Sequence, residues 1–599
     1  MSAPDGMAQL IVEAGFAPAA PGLSSGVLIL DDPIAGLLGT GTLADDDTWT
    51  DISPYAQSAT ITRTSTREQG PVITWESGTS VTTFGNSDAR FTPENLAGPY
   101  VAAGITQVRP MIPVRHRAVW AGITYPLSRQ FAQSWDPGED QGPDYATTTL
   151  TAADGFLVLA NADLPAAGAA GASELSGARV QRILAAAGWY AAARGLSAIS
   201  AGASQVQATT LGAKALDLLQ LTAATEIGAL YVDETGALTF RGRHDVLTDP
   251  RSATVQAVFG DRPGTLAPAA ASAAPLNADP GFEAGIAGWT ASHGATLAWS
   301  AACQYGPTPG VMSLHGDGAT ANPRALGSLI TGITPLATYT AFAVTFTPAA
   351  AAMQLQVDWK TSGGAFISSS FSATVTASDP WQVLAVTDAA PATAATATLI
   401  PTMTGTPAAG VTGYVGWASL IAGDASAAPA EMYYSAVSVP PADLTIANDI
   451  QATRAGGSVQ QVTDAASVNR FLFKRTYARS DLILTTDAEA LNWAQYVAWV
   501  TAGGTPEFDS VTTIPAEDPD GLWPLALGLR MGDRVQVWRR PPGMAASPIT
   551  RDCLIRGITH VVTAGEWATT FDLQDASRYA FLTLDNPALG MLGANALAY

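Results

Sequence analysis

Apolar and polar residues alternate with a period of two along much of the chain, in short runs rich in Thr and Val and bounded by turn residues. Residues 59–63 (ATITR), 80–84 (SVTTF) and 147–151 (TTTLT) are such runs, and a period of two sorts side chains onto the two faces of a strand. Residues 1–155 hold several of these runs at close spacing, punctuated by Pro and Gly, which predicts a small β-barrel or sandwich. After the Ala/Gly-rich stretch 165–172 the period changes. Residues 176–189 place Val180, Ile183, Leu184 and Ala187 on one helical face, with Gly188 as a stop signal. A second helix is predicted over 212–227, with Leu216, Leu219, Ala223 and Ile227 as its stripe. Residues 229–243 read as two strands joined through Glu234-Thr235-Gly236. Far downstream, Leu491, Ala494 and Ala498 predict a helix over 488–500.

This patterning predicts a mainly β chain with a small α+β part, divided at its low-complexity joints. The divisions are an N-terminal β-barrel domain at 1–155, an α+β domain at 156–262 and a Pro/Ala-rich linker at 263–275. A Trp-bearing β domain follows at 276–423, then a linker at 424–430 and a second β-barrel with a supporting α+β layer at 431–580. The last segment, 581–599, repeats 28–45: LILDDPIAGLLGTGTLAD and LTLDNPALGMLGANALAY agree at nine of eighteen positions. Asp31, Pro33, Gly36 and Leu43 in the first copy match Asp585, Pro587, Gly590 and Leu597 in the second. Such a short repeat reads as a docking strand-and-turn used twice. A total of 599 residues is length enough for three to five domains, each burying its own core.

Charge narrows the partners. The formal net charge of −22 offers no basic face, which argues against a nucleic-acid partner. Lys214, Lys360 and Lys474 are the only lysines; arginine supplies the remaining cations. With the heavy Ala and Gly usage, this reads as the coding bias of a high-GC genome. Cys303 and Cys553 match no metal spacing and read as small packing residues. The opening MSAPDGMAQLIVEAGF has neither a basic leader nor a long apolar run, and no run of about 18 apolar residues occurs. A product made in the cytoplasm, with no signal peptide and no membrane span, is the expectation.

Two sets of motifs flank the middle domain. Trp49-Thr50-Asp51-Ile52 leads into a strand bearing Arg63 and Arg67, followed by Asn86-Ser87-Asp88-Ala89-Arg90-Phe91-Thr92-Pro93-Glu94-Asn95, Gly98-Pro99-Tyr100 and Val108-Arg109-Pro110-Met111. On the far side stand Asn448-Asp449-Ile450, Thr453-Arg454-Ala455-Gly456-Gly457, Thr486-Asp487-Ala488-Glu489, Leu529-Arg530-Met531-Gly532-Asp533-Arg534 and Trp567-Ala568-Thr569-Thr570. In this order they resemble the minor tail or tail-hub proteins of tailed phages infecting actinobacteria, over about 1–260 and 430–599. The resemblance implies two hub barrel-like domains per subunit and a homotrimer at the virion tail tip. The implied partners are the distal tail ring, tube, tape measure and tip or receptor-binding proteins.

The middle domain opens with Asp279-Pro280-Gly281-Phe282-Glu283-Ala284-Gly285-Ile286-Ala287-Gly288-Trp289 and continues through 333–340 (ITPLATYT), Trp381-Gln382-Val383 and Val415-Gly416-Trp417-Ala418. Over about 276–423 this is similar to carbohydrate-binding jelly rolls, which implies an inserted β-sandwich. Stacking on a sugar ring needs an aromatic face with polar groups around it. Trp299, Tyr305, Asp358, Trp359 and Trp381 are the candidate contacts for host cell-wall glycan, with Lys360, Gln354 and Gln356 as further donors. The family commonly carries an Asp that helps hold a structural Ca²⁺ near the position of Ala418, so that oxygen ligand is missing here. Backbone oxygens and Glu283 are what remains for a cation, and no other cofactor is implied.

No catalytic motif accompanies these parts. His116, His244, His293, His315 and His560 fall in no metalloprotease or nucleophile pattern, and there is no phosphate-binding loop. The sequence therefore reads as non-enzymatic and structural. A secreted bacterial carbohydrate-binding protein and a cell-wall-degrading tail enzyme are the alternatives.

Overall fold

The computed structural model describes residues 6–17, 48–67, 73–102, 104–138, 143–189, 197–261, 276–282, 284–300, 310–347, 351–376, 382–423, 431–439, 446–503, 508–541 and 549–576. Both copies of the terminal repeat, with Asp31, Pro33, Gly36, Leu43, Asp585, Pro587, Gly590 and Leu597, lie outside these residues, as do both linkers. The chain forms two compact units. One gathers 1–254, 435–534 and 551–599; the other gathers 255–434 and 535–550.

The first unit is organised by one long, open antiparallel sheet. Its strands run in the order Thr48–Asp51, Gln9–Ala17, Pro113–Trp120, Ile123–Gly138, Thr147–Ala153, Thr79–Gly85, Ala56–Arg63, Ile549–Val562, Trp567–Asp575, Ser510–Thr513 and Ala436–Ser438. Alternation does the sorting: Leu10, Val12, Ala14 and Phe16 point inward from the second of these strands. They join Phe84, Phe91, Val114, Leu127, Trp135 and Leu150 in one core, to which Trp523 and Trp567 also belong. Register shifts near Ser128, Ser134, Ser58 and Gly557 mark bulges, which bend the strands locally and increase their twist. A Cβ added at Gly557 would lie 2.5 Å from Asp572 Oδ2 and 2.9 Å from Thr64 Oγ1, so a larger residue there must displace the Thr64–Asp572 pair. No closed barrel forms among the described residues; where two barrels were expected, a single open sheet draws strands from both ends of the chain.

The join between those ends is a ladder from Ala59↔Val562 to Arg63↔Ile558. Polar side chains reinforce it. Thr64 Oγ1 donates to Asp572 Oδ2 at 2.8 Å, and Arg556 Nη1 donates to the Ser65 carbonyl at 2.9 Å. Arg63, itself buried, pairs with Glu234 at 3.0 Å, and Arg530 reaches the same carboxylate at 3.0 Å.

Helices supply the α+β parts of this unit. Ser176–Ala186 buries Val180, Ile183 and Leu184, and Ala215–Glu226 buries Leu219 and Ala223. The hairpin Ala229–Val232 with Leu238–Arg241 closes around Asp233, whose side chain accepts from the Thr235 and Ala237 amides. Asp487–Thr501 starts with a capping box between Thr486 and Glu489, which satisfies two end amides reciprocally. It packs Trp493, Ala494 and Val497 onto the three-stranded sheet made by Asp449–Arg454, Gln460–Thr463 and Thr476–Leu482. Burial pushes the Asp449 carboxyl up, but hydrogen bonds from Thr463, Gln461, Lys474 and Thr476 outweigh it and hold the group far below its usual range.

In the second unit, Val255–Gly260 pairs in parallel with Glu431–Tyr433. Arg540 bridges Glu431 and Asp261 at 2.7 and 2.8 Å. The rest is a two-sheet sandwich. One sheet has the order Ala295–Ser300, Val311–Gly316, Thr412–Ala422, Thr338–Phe346, Gln382–Ala389. The facing sheet runs Thr290–Ser292, Arg324–Leu326, Thr396–Thr404, Ala352–Lys360, Phe366–Phe371, with two short strands added. Phe282, Met312, Leu314, Leu355, Val357, Leu399 and Leu420 fill the space between. The chain is therefore mainly β, with a small α+β part and an inserted β-sandwich.

Two histidines inside the first unit make its stability pH-dependent. His116 sits between Thr82 Oγ1 (3.1 Å) and Ser128 Oγ (3.0 Å), and burial lowers its pKa to about 4. Burial and the nearby Arg63 lower that of His560, beside Thr569, to about 3. The unfolded chain therefore binds protons first, and stability is lost as pH falls from about 6.5 through these values. Asp154 acts oppositely, since burial raises it to about 6 against donors from Gly78, Phe156 and Ser77. Asp533, which burial also raises, acts with Asp154, but the two histidines are shifted across the whole interval and leave a net loss. The urea midpoint should fall between about pH 7 and about pH 4.5, and fall less steeply in His116→Gln; a midpoint flat across that interval would contradict the assignment.

Candidate functional site

The outer face of the seven-stranded sheet of the sandwich is the surface on which aromatic and polar groups converge. Along Ala352–Lys360 the sequence alternates strictly. Met353, Leu355, Val357 and Trp359 enter the core, so Gln354, Gln356, Asp358 and Lys360 emerge on the opposite face. On one side lies the edge strand Phe366–Phe371, in register Gln356↔Phe371, Asp358↔Ser369 and Lys360↔Phe366. On the other lies Thr396–Thr404, which places Thr396, Thr398, Ile400 and Thr402 level with the emerging row, in register Asp358↔Thr398 and Gln354↔Thr402. These short side chains form a buried floor between longer neighbours.

Hydrogen bonds fix the polar row. Asp358 Oδ1 accepts from Gln356 Nε2 and Ser369 Oγ, each at 2.6 Å, and Gln356 Nε2 also lies 3.1 Å from Ser369 Oγ. Lys360 Nζ donates to Thr398 Oγ1 at 2.9 Å, and Gln354 Nε2 donates to the Ser372 carbonyl at 3.0 Å. Two phenyl rings frame the row: Phe366 is 63% exposed and Phe371 54%. Exposed rings beside pre-oriented hydroxyl, amide and carboxylate groups suit a neutral polyhydroxylated ligand, with ring faces to stack and fixed partners for its hydroxyls. Asp358 is the one carboxylate on these three strands' outer face among the described residues. Glycoside hydrolysis uses a pair flanking the scissile bond.

The sequence candidates fall in different places. Asp358 lies in the polar row. Trp359 is 2% exposed in the sandwich core, with Nε1 donating to Ser370 Oγ at 2.8 Å, so it offers no face to a ligand. That corrects its expected stacking role: it is in phase with Met353, Leu355 and Val357, and the pleat turns it inward. Trp299 is 41% exposed but belongs to the edge strand of the other sheet, pinned by a 2.8 Å bond from Nε1 to the Phe282 carbonyl. The structure does not bring it together with Asp358. Tyr305 and Trp381 lie outside the described residues, as does Glu283. Phe366, Phe371 and Ser369 were not singled out from sequence, although two phenylalanines around a serine run (FISSSF) are a detectable signal.

At the position of the missing calcium ligand, the Ala418 amide donates to the Pro280 carbonyl and its own carbonyl accepts from Asn277 Nδ2, both at 2.9 Å. Asn277 Oδ1 also accepts from the Leu420 amide at 2.9 Å. The opening segment of the sandwich is thereby stitched to the strand Thr412–Ala422. No group of three or more His, Cys, Asp or Glu side chains among the described residues is arranged to hold a metal ion. None of the described helices is long and apolar enough to cross a membrane.

No family model and no curated protein matches the chain. Among solved structures it is similar to the 43 kDa tail protein of prophage MuSo2 from Shewanella oneidensis, at 10% identity and TM-score 0.38, covering 95% of this chain and 97% of that one. It is also similar to the tail protein from Neisseria meningitidis MC58, at 8% identity and TM-score 0.38, covering 88% and 94%. A family 16 carbohydrate-binding module matches 24% of this chain and 99% of its own length, at 16% identity and TM-score 0.20. At such TM-scores these likenesses settle neither fold nor function.

Proposed function

We propose that the chain is a non-enzymatic structural component of a tailed-phage tail tip, a baseplate-hub or minor tail protein whose inserted sandwich contacts host surface glycan. One observation carries the first half: the motif-bearing segments on either side of the insertion meet in one sheet, through the ladder from Ala59↔Val562 to Arg63↔Ile558. Residues that make up the resemblance have structural work there. Asn86 Oδ1 accepts from the Phe91 amide and Asn95 Nδ2 donates to the Ala89 carbonyl, both at 2.9 Å, while Arg90 lies over the Tyr55 ring. Phe91 stacks on Trp135 and Tyr100 in the core. Downstream, Arg454 pairs with Asp487, and Asp533 with Arg251, both at 2.7 Å. These residues lock loops and form no reactive constellation.

In this reading 1–155 and 431–580 are the hub domains, 156–262 their α+β support and 276–423 the insertion. The repeated segments 28–45 and 581–599 dock onto neighbouring tail proteins. A homotrimer at the tip meets the distal tail ring, tube, tape measure and receptor-binding proteins. Mass spectrometry of virions purified from the encoding phage should find the chain as a stoichiometric component. Its absence from virions together with recovery as free extracellular protein would favour the secreted carbohydrate-binding alternative, and clearing of host cell walls by the pure protein would favour the enzyme.

The glycan half rests on the Phe366–Asp358–Phe371 face. Wild-type protein should be retained on host cell-wall polysaccharide, and Phe366→Ala with Phe371→Ala should abolish retention while leaving thermal melting unchanged. Trp359→Ala should instead destabilise the sandwich by about 3–5 kcal/mol, the range for deleting a buried large aromatic side chain. Failure of wild type to bind any host polysaccharide would remove the glycan half and leave the tail half standing.

A further inference from the structure

Within the first unit, a cleft opens where the hairpin Ala229–Val232 with Leu238–Arg241, the helix Asp487–Thr501 and the strand Ile549–Val562 come together. Its volume is about 100 Å³, and Trp75, Ile227, Val497, Leu554 and Ile555 give it largely apolar walls. Three guanidinium groups also line it, those of Arg241, Arg243 and Arg556, and among the described residues no Asp or Glu does. On a chain of net charge −22, a hollow walled by cations and hydrocarbon alone stands out from its surroundings.

The three cations are not equivalent. Arg241 pairs with Asp249 at 2.7 Å. Arg556 is occupied by the Leu573 and Ser65 carbonyls, each at 2.9 Å, and by Asp509 at 2.7 Å. Arg243 has no such partner among the described residues, and its Nε is buried without a hydrogen bond. A donor removed from water and given no acceptor is destabilising. The backbone that carries it is nonetheless held firmly. The Gly242 amide donates to Ser200 Oγ at 2.9 Å and to Asp245 Oδ2 at 2.7 Å, and the Arg243 amide donates to Glu226 Oε1 at 3.3 Å. These bonds anchor the arginine stem at the cleft wall.

We infer that this cleft binds a carboxylate on a short aliphatic body, with Arg243 as its anion partner. A guanidinium presents its N–H groups in a planar fork that matches the two oxygens of a carboxylate, so the ligand would supply the acceptor that Arg243 Nε lacks. The apolar walls take the hydrocarbon. Size limits it: an apolar cavity of about 150 Å³ holds benzene, so about 100 Å³ suits a smaller, aliphatic group. A free short-chain acid and the C-terminal leucine or valine of a polypeptide share this chemistry.

Titration of the full chain with 3-methylbutanoate, followed by ligand-observed NMR, tests it. Wild type should bind the acid saturably and bind the neutral 3-methylbutanamide roughly tenfold or more weakly, as expected for losing a charge-assisted hydrogen bond. Arg243→Met should weaken the acid by a similar factor, and Arg243→Lys by less, since it keeps the charge and loses the fork. Without ligand, Arg243→Met should melt no lower than wild type, because the unpartnered buried donor is gone. Val500→Phe, which narrows the cleft and leaves Arg243 in place, should also abolish binding; with the acid–amide comparison on wild type, it carries the test if Arg243→Met fails to fold. N-acetyl-leucine separates the two sources: tighter binding than 3-methylbutanoate assigns the cleft to a chain end, and weaker binding to a free acid. Absence of saturable binding by wild type would overturn the inference and leave the cleft to water. Equal binding of acid and amide, or wild-type affinity in Arg243→Met and Val500→Phe, would overturn it too. None of these outcomes bears on whether the chain is found in virions.

Discussion

Everything in the larger unit depends on one pairing: the strand Ala56–Arg63 needs the strand Ile549–Val562 as its neighbour. The side-chain bond that flanks this ladder, Thr64 to Asp572, spans 508 residues of sequence. Closing so long a loop costs conformational entropy, though the cost grows only slowly with length. The gain is a sheet whose core takes Trp523 and Trp567 from the last fifth of the chain and Val12 and Phe84 from the first. Until the late strand is made, the Ala56–Arg63 edge has no partner, and an unpaired edge is a template for wrong pairings. The buried Arg63–Glu234 pair, which Arg530 reaches from the surface, sharpens the same dependence. Arg530 is largely exposed, so it is removal of Glu234 that would leave the buried Arg63 guanidinium without this partner away from water.

The sandwich follows a different logic. Its core is its own, its strands alternate cleanly, and the Asn277 and Pro280 contacts to the strand Thr412–Ala422 close it locally. A domain that satisfies its own buried groups can be carried between two halves of another without sharing a core. Its outer face then stays available for work that the carrier does not perform. The bare polar row, already hydrogen-bonded before any ligand arrives, has lost much of the side-chain entropy that binding would otherwise cost.

Local elements were legible in the sequence because their signals are local. The helix around Leu491 and Ala494 announces itself by period and by its Thr486–Glu489 capping box, and the 229–243 hairpin by its turn. The register that joins strand 59–63 to 558–562 carries no comparable mark, since pairing across such a distance is chosen by the shared core. The inward turn of Trp359 was in fact written in the alternation Met-Gln-Leu-Gln-Val-Asp-Trp-Lys, and its aromatic chemistry masked that phase. Phe366 and Phe371 were harder to see. They share a face only because a register shift between Trp359 and Lys360 changes the pairing, and a bulge of that kind is invisible to a simple count of two.

Scarcity of lysine has a practical side. The three ammonium groups stand in separate places: Lys360 in the polar row of the sandwich, Lys474 against the buried Asp449, and Lys214 against Asp163. An amine-reactive reagent therefore meets only three side chains in the whole molecule. Which of them becomes shielded in an assembled particle, or in the presence of polysaccharide, would be a footprint with almost no background.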